Sequence, residues 1–312
     1  MSLTVTARAR LPRAPLDLRR RRRPSEIAIQ AVLFGCGLVS VATTAAIVFT
    51  LLREGLQFFA DFGALDFLTG RKWSPNGDPQ LFGVLPLVAG TLLVSVIALA
   101  VALPLGLGAA TYLSEYARPG LRRVLKPVLE VLAGIPTVVY GYFALRTVTP
   151  ALRTIFPGIE LTNSLSAGLV MGIMIIPTIA SLSEDAMQAV PRGLREAAYG
   201  LGSGRRRVAT RVVIPAALSG IAASVILAIS RAVGETMIVA IAAGSTPRLT
   251  LDPLVSIQTM TGYIAQVALG DAQSGTTQYK SIFVVGLLLF VITFGLNLIS
   301  QRFVRRFRQV YQ

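Results

Sequence analysis

Apolar residues in this chain gather into long unbroken runs, not into the alternating or one-in-three-to-four patterns of elements that face water. Six runs are long enough to cross a bilayer, which takes about 20 residues. They predict spanning helices at roughly Ile27–Leu52, Leu85–Leu113, Val128–Leu145, Leu165–Leu182, Ala216–Ala243 and Ile282–Ser300. The expected fold class is all-α, a polytopic membrane protein with six transmembrane helices. The first run is too long for a signal-peptide core and is followed by further spans, so it reads as retained. Helix breakers interrupt several runs: Gly90, Pro104, Gly106 and Gly108 in the second, Gly134, Pro136 and Gly141 in the third, Gly172 and Pro177 in the fourth. Backbone groups freed inside lipid must find partners in neighbouring protein or a wet cavity. Glycine faces also let helices approach closely. Such breaks suit a transporter core better than inert anchors.

Between the runs lie three long polar segments, at about 53–82, 183–215 and 245–281. The first holds the only tryptophan, Trp73, and the turn-rich Pro75-Asn76-Gly77-Asp78-Pro79. The last holds Ile257, Met260, Ile264 and Val267, whose 3-4-3 spacing makes one apolar stripe on a short helix. That helix reads either as a seal on the outer mouth or as a rim for a docking solute-binding protein. Residues 1–25 are rich in Arg and Pro and are expected to be disordered.

Charge orients the chain. With the N-terminus inside, 22 of the 30 Lys and Arg residues fall on one side: residues 8–23, the loop after the second span, the 183–215 segment and the C-terminal tail. This excess follows the positive-inside rule and predicts that both termini are cytoplasmic. The Arg19–Arg23 run also has the form of a twin-arginine export signal. No cleavage-site pattern follows it, which favours a positive anchor. The net charge of +15 is thereby explained without nucleic acid. Composition agrees, with 53% hydrophobic and 14% charged residues and a mean hydropathy of +0.65. There is no histidine, and the single cysteine, Cys36, lies in an apolar run. That removes histidine triads, histidine metal sites and disulfide frameworks.

Arg231 and Glu235 stand inside the fifth run, with Ser230 and Thr236 beside them. Counted from Pro215 on a continuous helix, Arg231 lies about 24 Å along the axis. An arginine near the bilayer centre costs at least about 2.5–3.5 kcal/mol. Spaced i,i+4, the two side chains share a helix face and can pair. The pair reads either as a structural ion pair or as an anion site. In the second case guanidinium donates to an oxyanion while Glu235 holds it and balances its charge.

The 183–215 segment carries Glu196-Ala197-Ala198, then Gly202, then Val212, Ile214 and Pro215. This is similar to the coupling loop of bacterial ABC importer permeases, Glu-Ala-Ala, three residues, Gly, nine residues, Ile-x-Leu-Pro. Further blocks narrow the resemblance: Lys72-Trp73-Ser74-Pro75, Gly90-Thr91-Leu92, Leu113-Ser114-Glu115-Tyr116, Leu132 to Gly141, and Arg231-Ala232-Val233-Gly234-Glu235-Thr236. Over residues from about 26 to 305 the chain resembles the PstC family, a membrane subunit of the bacterial phosphate importer. The family pattern usually has Ser after Ile-Pro in the third span; here Thr137 keeps the hydroxyl.

The resemblance implies a type I ABC importer permease fold (MetI-like) over residues 26–308. It implies a PstA-like sister permease, a PstB-like ATPase homodimer and a PstS-like phosphate-binding protein as partners, in the bacterial inner membrane. Glu196, Ala197, Ala198, Gly202 and Pro215 would then couple to the ATPase. Arg231, Glu235, Thr236 and Thr137 would line the path for phosphate. No cofactor is expected on this chain: it lacks a G-x-x-x-x-G-K-[ST] loop, and ATP-Mg would bind the partner ATPase. The chain is expected not to be an enzyme. Other readings are a permease for sulfate or molybdate, and a membrane scaffold or sensor that binds an ATPase without transport. An intramembrane enzyme is disfavoured, since acid–base and metal chemistry want His or a second carboxylate.

Overall fold

The computed structural model describes residues 24–270, 273 and 275–307, with side chains from 26 to 302 within that set. The basic stretch expected to be disordered lies almost wholly outside the described residues, as does Arg308. Two compact units divide the chain at Val48 and Phe49. The described part of the first is the N-terminal portion of α1 (Pro24–Asp61), with Val32, Phe34, Val39 and Val41 exposed.

In the second unit α1 runs on to Asp61, past the predicted end at Leu52, because Arg53 and Glu54 are good helix formers. The segment expected as a loop therefore holds the end of α1, then α2 (Ala64–Thr69) and a small antiparallel hairpin. In the hairpin β1 (Trp73–Ser74) pairs with β2 (Leu81–Phe82), Trp73 opposite Phe82. Trp73, Phe58, Phe67, Phe82 and Tyr263 bury one another, mostly edge to face; the Trp73 and Tyr263 rings are 4.8 Å apart at 84°. That geometry suits aromatic quadrupoles.

Next come α3 (Leu85–Thr111), continued by a π-helical turn at Tyr112–Tyr116, and α4 (Pro119–Ala133). After α5 (Thr137–Phe143), a π turn at Ala144–Val148 leads into α6 (Thr149–Arg153). The predicted third span, Val128–Leu145, straddles an 85° bend between α4 and the α5–α6 segment. Gly134 caps α4, and Pro136 brings no N–H to continue the helix. The Tyr140 hydroxyl donates to the Leu132 carbonyl at 2.9 Å, satisfying one group freed by the break.

Asn163 opens α7 (Ser164–Gln188) by accepting the Ser166 N–H at 2.7 Å. The chain continues through α8 (Arg192–Gly200), α9 (Arg205–Val208), a π turn at Ala209–Val213, α10 (Ile214–Ala216) and α11 (Leu218–Gly234). A π turn at Val239–Ala243 precedes α12 (Met260–Leu269) and α13 (Thr277–Phe307). Ile257 precedes α12 instead of lying on it, since Thr259 fixes the helix start by accepting the Gly262 N–H. Among the described residues four helices are long and apolar enough to cross a membrane. Two bent pairs, α4 with α5–α6 and Arg205–Ala216 with Leu218–Gly234 (72°), bring the number to as many as six.

The centre of this unit is α3 packed along α7, with α11 against both. Small residues set the spacing: a Cβ on Gly172 would lie 2.8 Å from the Ala98 carbonyl oxygen, and one on Gly106 2.8 Å from Ile179. Ala98, Ala102, Val170, Met174, Ile175, Ile179, Ala228 and Ala232 fill the seam. In lipid such close contact supplies the dispersion energy that the hydrophobic effect cannot.

Candidate functional site

Helix α11 does not carry the fifth run through to Ala243. It ends at Gly234, and Glu235 is extended (φ −66, ψ 133). The expected Arg231–Glu235 pair on one helix face is therefore not formed. By leaving the helix, Glu235 turns its carboxylate onto the next turn: Oε1 accepts the N–H groups of Met237 at 3.1 Å and Ile238 at 3.4 Å. Its carbonyl accepts the Thr261 hydroxyl at 2.6 Å. Glu235 thus caps the following segment and fixes the break. The bend at Ala217 also shortens the straight run before Arg231, from Leu218 on, to about 20 Å.

Arg231 reaches the neighbouring helix instead. Its Nη1 donates to Thr178 Oγ1, just after Pro177 on α7, at 3.0 Å. Among the described residues no carboxylate lies within ion-pair distance of its guanidinium. The Ser230 hydroxyl beside it is buried without a hydrogen-bond partner. Thr236 donates to the Gly234 carbonyl at 3.3 Å. Thr137 is half-buried at the start of α5 and makes no described contact with Arg231. The structure therefore joins Arg231 to Thr178, which the sequence reading missed, and separates it from Glu235. The only hint of Thr178 was a hydroxyl next to a helix-breaking proline.

At the Arg-rich end, α8 carries Glu196 and Ala197 exposed, while Ala198 packs against Val208, Val213 and their neighbours. Gly202 has φ +76, a conformation suited to glycine. Its N–H donates to Tyr199 O and the Ser203 N–H to Ala198 O, the double bond of a Schellman cap. The spacing of Gly after Glu-Ala-Ala is thus the geometry of a helix stop. Pro215 lies in α10, two residues before the break at Ala217. A groove of about 390 Å³ beside α8 is lined by Ser114, Arg122, Gln188, Arg192, Arg195, Glu196 and Tyr199.

Two buried carboxylates brace this end, and neither was foreseen as part of the site. Glu184 is fully buried on α7, paired with Arg122 and with Lys126 (3.0 Å) of α4, and it accepts from Gln188 at 2.6 Å. Glu115, in the π turn after α3, pairs with Arg195 of α8 at 3.0 Å. Arg195 also donates to the Met187 and Val190 carbonyls at 2.7 and 2.6 Å.

Residues 102–309 match the family described as binding-protein-dependent transport system inner membrane component. Among curated relatives, the probable ABC transporter permease protein YqgH of Bacillus subtilis is 34% identical, over 89% of this chain and 91% of its own length. The phosphate transport system permease proteins PstC of Mesorhizobium japonicum (33% identical, 92% of each chain) and Haemophilus influenzae (32%, 85% of this chain and 88% of that one) are similar as well. Among solved structures, a bacterial alginate ABC transporter chain superposes with TM-score 0.63 at 14% identity over 90% of this chain and 96% of its own. A chain of the MetNI methionine ABC transporter gives 0.54 at 19% identity over 72% and 94%. The fold is that of MetI-like importer permeases. ATP hydrolysis in such systems belongs to a separate ATPase subunit, so this chain is a multi-pass transport component and not an enzyme. It belongs to the family of binding-protein-dependent transport system inner membrane components.

Proposed function

We propose that this chain, with a PstA-like sister subunit, forms the path by which inorganic phosphate crosses the inner membrane. The observation that carries this reading is Arg231, a guanidinium within an apolar helix that is held by one hydroxyl and has no carboxylate partner among the described residues. Holding a cation in that way inside an apolar span is costly unless an anion shares the site for part of the cycle. Guanidinium suits the task, because its planar donors match two oxygens of a tetrahedral oxyanion. The PstC relatives support phosphate as that anion.

Thr178 presets the guanidinium, and its own hydroxyl hydrogen is available to an anion oxygen. Glu235 holds the break after α11 and keeps its second carboxylate oxygen for the path; Thr236 and Thr137 contribute hydroxyls. The α8 segment around Glu196 docks on a PstB-like ATPase, which holds the ATP-Mg, and a PstS-like protein delivers phosphate on the opposite face. The Arg-rich end then faces the cytoplasm, with both termini. The test is uptake of radiolabelled phosphate by vesicles containing the assembled complex, with sulfate and molybdate as competitors. Phosphate uptake that neither competitor suppresses supports the reading; transport of sulfate or molybdate in preference to phosphate overturns it.

A further inference from the structure

We propose that Arg195 is a positioning residue that passes movement of the α8 loop into the Arg231 site, with the second half of α7 as the connecting rod. The proposal rests on Arg231 being the anion site. It starts from an oddity of placement. Arg195 directly precedes the exposed Glu196 on a short solvent-facing helix, yet its own side chain is only 17% exposed. The guanidinium turns inward and joins three segments at once. Nη2 donates to the carbonyl of Met187 in the last turn of α7 and Nη1 to that of Val190, two residues past its end, while Nε and Nη2 hold Glu115 Oε1 at 3.3 and 3.0 Å. Met187 stands at the C-terminus of α7, the negative end of its dipole, so a cation there is favourable. The planar fork makes the junction stiff in a way that a single-point ammonium does not.

What α7 does beyond that junction gives the contact its meaning. Between Thr178 and Gln188 the helix has no internal proline, since Pro177 lies just ahead of this segment. Glu184 clamps the same segment to α4 through Arg122 and Lys126, and the Ser183 and Ser224 hydroxyls, 2.7 Å apart, join it to α11. Nine residues above Met187, about 14 Å along the axis, Thr178 receives the hydrogen bond of Arg231. A displacement of α8 is therefore delivered through Arg195 to one end of a braced rod whose other end holds the guanidinium.

A plain structural staple would also bury Arg195, so the test needs a readout that a staple would not move. Phosphate uptake and ATP hydrolysis are measured in the same proteoliposomes containing the complete complex, for the parent and for Arg195→Met, Arg195→Lys and Glu115→Gln. Arg195→Met is expected to lower phosphate imported per ATP by about tenfold while KM for phosphate stays within about twofold. Arg195→Lys and Glu115→Gln, which keep the charge or the acceptor, should fall between. An unchanged ratio in Arg195→Met, or a KM that rises in step with lost uptake, overturns the proposal. If Arg195→Met does not assemble, Glu115→Gln decides, because it keeps side-chain shape; a parental ratio there is equally fatal. Arg231→Gln in the same assay separates the two readings. Normal phosphate uptake in that variant removes the anion site itself, whereas lost uptake there beside a normal ratio in the Arg195 variants removes only the connecting rod.

Discussion

Glu184 and Arg231 are both charged side chains on packed helices, one buried and one half-buried, and the fold treats them in opposite ways. Glu184, fully buried, is met by Arg122, Lys126 and the Gln188 amide. Arg231 is met by one threonine hydroxyl. The Arg-rich end shows that this chain can supply a counter-charge where a charge serves only to hold helices together. A cation left with a neutral partner is not completed by the fold, and under the proposed function its missing counter-charge is what a travelling anion brings. The pairing of Glu235 with backbone N–H groups sharpens the contrast. A carboxylate four residues from Arg231 is present, and the chain directs it elsewhere.

The largest stability change should come from breaking the completed cluster. Arg122→Met with Lys126→Met leaves Glu184 buried with Gln188 alone, and should cost about 3–5 kcal/mol, read as a fall in unfolding midpoint of the purified protein. A loss below about 1 kcal/mol would mean that the cluster is no brace and would break the comparison. Thr178→Val should cost about 1.5–3 kcal/mol, less than opening the cluster, because the hydrogen bond lost is a single one from a charged donor. It should raise KM for phosphate several-fold, with Thr178→Ser restoring it. An unaltered KM in Thr178→Val would take this residue out of the site.

The smallest effect is expected at the exposed Glu160–Arg248 pair. The Ser256 N–H first, and Arg248 second, hold the Glu160 carboxyl below its ordinary value of 4.5. Because the folded pKa is the lower one, this contribution is present above 4.5 and fades as pH falls through the folded value. Protection of the Ser256 amide against hydrogen exchange should therefore be flat above that pH and drop below it. In Glu160→Gln the step should vanish. A step that survives in Glu160→Gln would assign it to another group.

Much of this was legible in the sequence, and the misses share a cause. Runs of apolar residues fell on the four helices long enough to cross a membrane and on parts of both bent pairs, and Gly134-Ile135-Pro136 marked the third run as broken, though not that it bends by 85°. Arg231 stood out because a charge in an apolar run is conspicuous at any register. Its partner did not, because i,i+4 spacing speaks only while the helix continues, and α11 stops at Gly234. Glu184 was read as loop because hydropathy falls after Leu182, yet α7 continues to Gln188 by packing against α3 and α4. Its partner Lys126 is 58 residues away, and Glu115 and Arg195 are 80 apart. No local pattern encodes contacts of that range. Gly202 was the opposite case: its place in the motif was visible, and the structure supplied the reason.

The central claim is that Arg231 is kept incomplete for an anion, and Arg231→Gln tests it most directly when uptake and stability are read from one preparation. The account predicts that radiolabelled phosphate uptake by the assembled complex is abolished while the unfolding midpoint and the recovery of ATPase with the complex match the parent. Phosphate uptake at the parental rate would contradict it, and so would a loss of uptake accompanied by a collapse in stability as large as that from opening the Glu184 cluster.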